Sequence, residues 1–193
     1  MQCQKVFLVP LLFLSALCCL AQSSAPKPAS AVDNDFVQKQ FGATCTILPG
    51  PVPQVADLDG DGVDDIVIAG RCTNPLMDAA QYSFQVIDPY YTYLGYSDPK
   101  ITTQFATEDP NMRGVVLLII HGSGPEAWRA ATPKAKFVIV NLPFRQISVK
   151  KLELKKKMVM GIYAEEINDD KTISVTFWDG KRYRYQPLGS ALD

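Results

Sequence analysis

Residues 56–70 read ADLDGDGVDDIVIAG, in which five aspartates fall within nine positions and an apolar run follows directly. Two carboxylates about 5 Å apart repel each other by about 3 kcal/mol at an effective dielectric constant of 20, so a tight loop with several such pairs is hard to hold folded without a cation. Closely spaced hard oxygen ligands suit Ca²⁺. The stretch therefore predicts a calcium-binding loop that leads into a β-strand.

The spacing of the aspartates predicts which groups bind the ion. Side chains at alternate positions can converge on one point, and Gly60 and Gly62 allow the backbone to turn tightly. Asp64 is expected to point away or to lie outside the ligand sphere. We predict four ligating side chains and one ligating backbone carbonyl, which are those of Asp57, Asp59, Asp61 and Asp65 and, for the carbonyl, Val63.

The loop does not follow the calmodulin-type pattern, which has a glutamate at its twelfth position. Counted from Asp57, the twelfth residue is Ile68, and the chain enters a strand where an EF-hand would enter a helix. A dockerin would require a second copy of the loop, and the sequence has none. These features exclude an EF-hand and argue against a dockerin.

Residues 41–71 resemble the FG-GAP or VCBS repeat, which occurs in integrin α-subunit propellers and in many secreted bacterial proteins. The resemblance is carried by Phe41-Gly42, by the loop DLDGDGVDD (57–65) and by the strand IVIAGR (66–71). It implies a Ca²⁺ ion that holds a β-turn-β unit together, with the loop aspartates as ligands. One unit cannot close a propeller, which needs several blades, so the propeller fold is not implied.

Three roles for the loop remain open. The ion can be structural, which is the usual role of Ca²⁺ in such loops and the one we favour. The loop can be acidic but mostly empty in its native setting. The metal can also take part directly in binding or catalysis.

Residues 1–21 have the pattern of a secretory signal peptide. A positively charged start precedes the apolar run VFLVPLLFLSALCCLA, which is short for a membrane span and ends in small residues. We predict cleavage after Ala21, a secreted or periplasmic location, and a flexible leader over residues 22–31. Two alternatives are an uncleaved segment that tethers the protein to a membrane, and lipidation of Cys18 or Cys19.

Signal cleavage would leave two cysteines in the mature chain. It would remove Cys3, Cys18 and Cys19, so that only Cys45 and Cys72 remain. Two cysteines in an exported protein favour one disulfide, with two buried free thiols as the alternative. Because the pair flanks the aspartate loop, a disulfide would stabilise the same unit as the ion.

The rest of the chain predicts one mainly β domain over residues 32–193, or an α+β domain with few short helices, built from antiparallel sheets. Asp33 or Asn34 can cap a short helix that Gly42 ends. The clearest hairpin spans residues 171–186, with Asp179-Gly180 at its turn. Further strands are predicted at residues 43–48, 65–70, 82–87, 114–122, 135–142, 147–154 and 158–166.

The charge distribution argues against a nucleic-acid partner. Without residues 1–21 the chain has 18 Lys and Arg against 20 Asp and Glu. The acidic excess lies in residues 22–110 and the basic excess in residues 111–193, so the two halves are expected to attract each other. We expect a monomer with no membrane span after signal cleavage.

These features favour a non-enzymatic binding or envelope-associated module with a protein or carbohydrate ligand. Contacts would come from loops such as the tyrosine-rich segment DPYYTYLGY (88–96), which can instead pack on its own sheet. His121 is the only histidine and no nucleophile elbow follows it, which argues against Ser-His-Asp catalysis and histidine-rich zinc sites. The alternatives are a small extracellular hydrolase, with acids in residues 57–65 or at Glu165-Glu166, and an accessory or inhibitor subunit of a secreted enzyme.

Overall fold

The computed structural model describes residues 32–89, 93, 111–155, 157–167 and 172–190, which belong to one compact unit spanning residues 31–193. These residues are mainly β, as predicted, and they form two open sheets rather than a closed barrel or a propeller. The predicted signal peptide (1–21) and leader (22–31) lie outside the described residues.

The first sheet contains six strands. They are β1 (Cys45–Ile47), β2 (Gln54–Ala56), β3 (Asp65–Cys72), β4 (Gln85–Ile87), β5 (Val115–His121) and β6 (Ala135–Ile139). The strands follow the order β1-β3-β5-β6-β4, and β2 also pairs with β3. All pairs are antiparallel except β4 with β6, which are parallel. This parallel pair is the one departure from the antiparallel sheets that the sequence predicts.

The second sheet is a four-stranded antiparallel meander. Its strands are β7 (Phe144–Leu154), β8 (Lys157–Glu166), β9 (Thr172–Trp178) and β10 (Tyr183–Ser190). The predicted C-terminal hairpin is confirmed, because β9 and β10 pair with Tyr183 opposite Trp178. Its turn is closed by the Asp179 carboxylate, which accepts hydrogen bonds from the Lys181 and Arg182 amides and from Nε of Arg184.

Among the elements that the structure describes, the short helical segments beside the sheets are α1 (Asn34–Phe41), α2 (Pro75–Tyr82) and a 3-10 helix (Gly124–Arg129). Asp33 caps α1 as predicted, since its side chain accepts from the Phe36 amide at 2.8 Å. Helix α2 was not predicted, and the strand expected from Tyr82 begins only at Gln85. Pro75 favours a helix start because its fixed φ suits the first helical position.

Side chains from both sheets form one core between them. The inner face of the first sheet contributes Val67, Leu117, Ile119, Phe137 and Ile139, and the second sheet contributes Ile147, Ile162, Ala164, Tyr183 and Tyr185. The opposite face of the first sheet packs on the helical segments through Ile66, Ile68, Val116, Leu118 and Ile120 against Val37, Phe41 and Trp128. The first sheet is therefore covered on both faces, which explains why β3 and β5 are continuously apolar rather than alternating.

The predicted disulfide is present and joins Cys45 to Cys72. The two residues lie directly opposite each other where β1 pairs with β3, and both are fully buried. The bridge therefore fixes β1 to the end of β3 that is distant from the aspartate loop.

Candidate metal site and adjoining cleft

The aspartate loop, residues 57–64, connects β2 to β3. These strands pair antiparallel with Ala56 opposite Asp65, so the loop closes a β-turn-β unit of the kind that the sequence predicts. The start of the unit differs from the repeat that it resembles. Phe41 is the last residue of α1, and Gly42 follows with φ 106°, so this pair ends a helix and opens no strand.

The Asp57 carboxylate organises the loop. Its Oδ1 accepts hydrogen bonds from the amides of Gly60 at 2.8 Å and Asp61 at 3.1 Å, and its Oδ2 accepts from the Gly62 amide at 2.9 Å. Gly60 and Gly62 have φ values of 80° and 85°, which glycine adopts without strain. The backbone thus wraps around one carboxylate and holds the neighbouring aspartates close to it.

Three carboxylates converge at the surface of this loop. One oxygen each from Asp57, Asp59 and Asp61 lies within 4.8 Å of the other two, and we call these residues the outer cluster. Ca²⁺ binds oxygens at 2.3–2.6 Å, so oxygens that share one ion lie within about 5 Å of each other. The size and chemistry of the outer cluster therefore fit this ion.

Lys134 contacts the outer cluster from the segment that precedes β6. Its ammonium lies 2.7 Å from Oδ2 of Asp59 and 2.5 Å from Oδ2 of Asp61. These hydrogen bonds raise the pKa of Lys134 above its ordinary value. The bond from Lys134, followed by that from the Val63 amide, lowers the pKa of Asp61. Part of the negative charge of the loop is thus balanced within the chain.

A second group lies beneath the loop and consists of Asp59, Asp65 and His121, which we call the inner cluster. Nδ1 of His121 is 3.3 Å from Oδ2 of Asp59, the same oxygen that contacts Lys134. Asp65 accepts from the Gly122 amide at 2.7 Å and from the Leu58 amide at 2.8 Å. Asp59 belongs to both clusters and connects the exposed loop to the interior.

Burial controls the ionisation of the inner cluster. Asp65 is fully buried, and this burial raises its pKa to about 6 despite the hydrogen bonds from the Gly122 and Leu58 amides. Burial likewise lowers the pKa of His121, although the Asp59 carboxylate opposes the change. His121 is therefore neutral at pH 7, and its 3.3 Å contact with Asp59 is not an ion pair.

The inner cluster continues into the second sheet. Nε2 of His121 lies 2.6 Å from the hydroxyl of Tyr183, and the imidazole packs against the rings of Phe137 and Trp178. Burial, followed by the charges of Asp65 and Asp59, raises the pKa of Tyr183 well above its ordinary value. A polar chain thus runs from the loop into one end of the core between the sheets.

The structure separates the five predicted ligands. Asp57, Asp59 and Asp61 meet in the outer cluster, whereas both oxygens of Asp65 bind backbone amides in the inner cluster. The Val63 amide donates to Oδ1 of Asp61 at 2.9 Å. Asp64, the remaining aspartate of the loop, is exposed and lies outside the outer cluster.

Sequence reasoning did not identify Lys134 or Tyr183 as parts of the site and placed no role on His121. One signal was present for His121, because it continues the inward-facing series Leu117 and Ile119 along β5. No local pattern indicates Lys134 or Tyr183, since both reach the site through pairing of distant segments.

A cleft of about 540 Å³ adjoins the outer cluster. One wall is the loop from Ala56 to Gly60, and the other is formed by β7, β8 and the end of β9. The residues that line the second wall are Lys151, Lys157, Met158, Val159, Met160 and Trp178. This volume is within the range of sites for small ligands.

The sequence also singled out a possible contact loop, the tyrosine-rich segment, and a possible acid pair, Glu165-Glu166. Of the four tyrosines in the tyrosine-rich segment, only Tyr93 is described, and its ring packs edge-on against Tyr185 at 5.6 Å; Tyr90, Tyr91 and Tyr96 lie outside the described residues. Glu165 faces Arg145 at 3.6 Å, whereas the buried Glu166 accepts from the Tyr185 hydroxyl at 2.8 Å. These two glutamates point to opposite sides of β8 and do not form a paired acid site.

No protein-family model, curated protein sequence or solved structure matches this chain. Within the described ranges, none of the helices has the length and apolar character needed to cross a membrane. Function is therefore inferred from the two clusters and the cleft beside them.

Proposed function

We propose that this protein is an exported calcium-binding module that acts by binding a ligand rather than by catalysis. The observation that carries the proposal is the outer cluster, in which three carboxylates converge on a loop already folded around Asp57. The resemblance of residues 41–71 to a single FG-GAP or VCBS repeat supports the same ion. Export rests on the signal-like pattern of residues 1–21 and on the disulfide, which is typical of oxidising compartments.

In this proposal, Asp57, Asp59 and Asp61 supply side-chain ligands and Val63 supplies its carbonyl. Ca²⁺ takes six to eight oxygen ligands, so water completes the sphere. Asp65 acts from the layer beneath, where its bonds to Leu58 and Gly122 hold the loop against the end of β5. The ion would stabilise the loop by removing the repulsion between its carboxylates.

The surroundings of the site support a structural role for the proposed ion. His121 is 1% exposed and Asp65 is fully buried, so neither can reach a substrate without opening of the core. The Asp57 oxygens already accept three loop amides. These groups hold the fold, and the adjoining cleft is the surface that remains for a ligand. An accessory or inhibitor role would use that surface too.

The test is the thermal stability of the chain purified after expression from its full sequence. We expect the unfolding temperature to rise in millimolar Ca²⁺ and to fall with chelator, because an ion that binds only the folded state stabilises it. Asp61→Asn should remove most of this response. Asp64→Asn is the matched control, since Asp64 is a neighbouring exposed aspartate outside the cluster, and it should keep the response. An unfolding temperature that changes neither with Ca²⁺ nor with chelator would refute the calcium proposal.

A further inference from the structure

The cleft beside the aspartate loop lies where the second sheet leaves the core. Along the β7–β8 hairpin, the inward-facing pairs are Ile147 with Ala164, then Val149 with Ile162, and then Lys151 with Met160. The first two pairs pack in the core between the sheets, whereas Lys151 and Met160 line the cleft. The inward face thus changes from apolar to cationic at the point where it meets the open space.

Trp178 provides an aromatic surface in this cleft. The ring is half-buried, and on its inner side it packs against His121 at 5.2 Å, Tyr183 at 5.3 Å and Phe137 at 5.4 Å between ring centroids. These contacts fix its orientation before any ligand arrives. Met158, which is 56% exposed, lines the same cleft and adds apolar surface to it. A fixed aromatic ring of this kind suits the apolar C–H face of a sugar ring.

Two lysines that line the same wall have no acidic partner among the described residues. Lys151 and Lys157 line the cleft and are exposed, and neither forms an ion pair with any residue in the described part of the chain. Lysine ammonium groups form strong charge-assisted hydrogen bonds with carboxylates. This wall therefore favours a ligand that carries negative charge.

The opposite wall is formed by the aspartate loop, whose carboxylates are already engaged. A carboxylate has about four acceptor positions. Asp57 uses three for loop amides, and Asp59 contacts the Asp61 amide, Lys134 and His121. The Asp59 side chain is 3% exposed, and the position left on each carboxylate is the one that the proposed ion would take. The rim at Gly60 is open, since a Cβ there would meet nothing within 4 Å.

We propose that this cleft binds a short oligosaccharide that contains uronate residues. A sugar ring would stack on Trp178, and its carboxylate would pair with Lys151 and Lys157. The cleft volume of about 540 Å³ limits the bound length to a few sugar units. The inference rests on the proposed function, according to which the protein acts by binding a ligand, and it adds the chemical class of that ligand.

The test measures binding of trisaccharides of galacturonate, mannuronate and glucuronate to the intact chain, by calorimetry and by tryptophan fluorescence. The chain has two tryptophans, and Trp128 lies on the helical side of the first sheet at 2% exposure, so a change in emission or quenching reports on Trp178. We expect at least one uronate trisaccharide to bind and to protect Trp178 from a neutral quencher. Its methyl ester, which has the same rings without the charge, should bind about tenfold more weakly or not at all.

A pair of variants identifies the cations. The double variant Lys151→Gln with Lys157→Gln should weaken binding about tenfold or more. Lys150→Gln is the matched control, because Lys150 lies next to Lys151 on β7 but contacts the ring of Tyr163 and does not line the cleft. Both changes remove charge from exposed positions of the same hairpin, so folding is expected to be retained and is checked by circular dichroism.

Three results would overturn the inference: no binding of any uronate, equal loss of binding in the Lys150 control, or tighter binding of a tetraglutamate peptide than of every trisaccharide. The last result would assign the cleft to acidic peptides. Ligand binding is measured both in Ca²⁺ and in chelator, so that failure of this inference can be distinguished from failure of the calcium proposal. Lysine-dependent binding in either condition supports the inference, whereas the thermal response of Asp61→Asn tests the ion alone.

Discussion

The ammonium of Lys134 lies 2.7 Å from Oδ2 of Asp59, the oxygen that also faces His121. The same ammonium contacts Asp61, so it occupies the side of the loop on which two carboxylates of the outer cluster converge. A lysine that is 48% exposed can leave this position at low cost, because its charge is then solvated. Lys134 thus acts as an internal cation whose place overlaps with that proposed for Ca²⁺.

Replacement of this internal cation should have opposite effects with and without the ion. We expect Lys134→Met to raise Ca²⁺ affinity about tenfold, because one competing charge is removed from the cluster. In chelator the same variant should lose about 1 kcal/mol of stability. Among the described residues, Lys134 is the one cation that contacts the carboxylates of Asp59 and Asp61, and the variant removes it. Calcium titration by calorimetry and urea unfolding in chelator measure the two effects. Lys39→Met, which removes an exposed charge on α1, should change neither.

The buried carboxyl of Asp65 should titrate near pH 6 in the folded protein. Burial holds its pKa at about 6 against an ordinary value of 3.8, so folding favours the protonated form. The stability that this proton provides is complete below pH 3.8 and is lost as pH rises through 6. Carboxyl carbon shifts measured by NMR in chelator should locate the titration. A midpoint near 4 for Asp65 would contradict the prediction.

Close packing at Gly122 should make this position intolerant of any side chain. A Cβ there would lie 2.4 Å from the Asp64 carbonyl oxygen and 2.8 Å from the Ala127 carbonyl carbon, and both neighbours are backbone. We expect Gly122→Ala to cost about 3 kcal/mol or more and to disturb the bond from the Gly122 amide to Asp65. Gly124→Ala is the control, because it adds only the strain of its φ of 60° in open space, about 1 kcal/mol. If Gly122→Ala and Gly124→Ala lost the same free energy of unfolding in urea, the close packing of backbone around Gly122 would be unimportant.

Loss of the disulfide should destabilise the fold without disrupting the proposed calcium site in the aspartate loop. The bridge spans 27 residues of sequence, for which the chain-entropy model gives about 3–4 kcal/mol. We expect the double variant Cys45→Ala with Cys72→Ala to lose this amount in urea unfolding. Reducing agent should destabilise the parent chain and leave the variant unchanged. Because the bridge joins β1 to the far end of β3, calcium affinity should stay within about twofold of the parent value.

Features encoded within a few neighbouring residues could be predicted from the sequence. The loop and β3 follow from charge density next to an apolar run, and the β9–β10 hairpin follows from alternation around Asp179-Gly180. Helix α2 was missed because its apolar residues show no clear helical stripe, and Pro75 is the main local signal. Short strands such as β2 depend on pairing with β3 rather than on their own composition.

The parts of the site that were missed all come from long-range pairing. Lys134 reaches Asp59 across 75 residues, and Tyr183 reaches His121 across 62. Such contacts depend on the order of strands in two sheets, which periodicity does not specify. The same limit applies to Asp65. Its position in the loop pattern predicts a metal ligand, but in the fold its two oxygens accept hydrogen bonds from the Leu58 amide and from the Gly122 amide, which follows β5.

Strand β3 has neighbours on every side. It pairs with β1 and β2 along one edge and with β5 along the other, and both of its faces are buried. Its amides are therefore released to solvent only when the whole domain opens, whereas amides of the aspartate loop can exchange by local fluctuation. In deuterium exchange, Val67 and Ile68 should be among the last amides to be labelled. Their labelling rate then gives the global free energy of unfolding, while the amides of Gly60 and Gly62 report separately on the state of the loop.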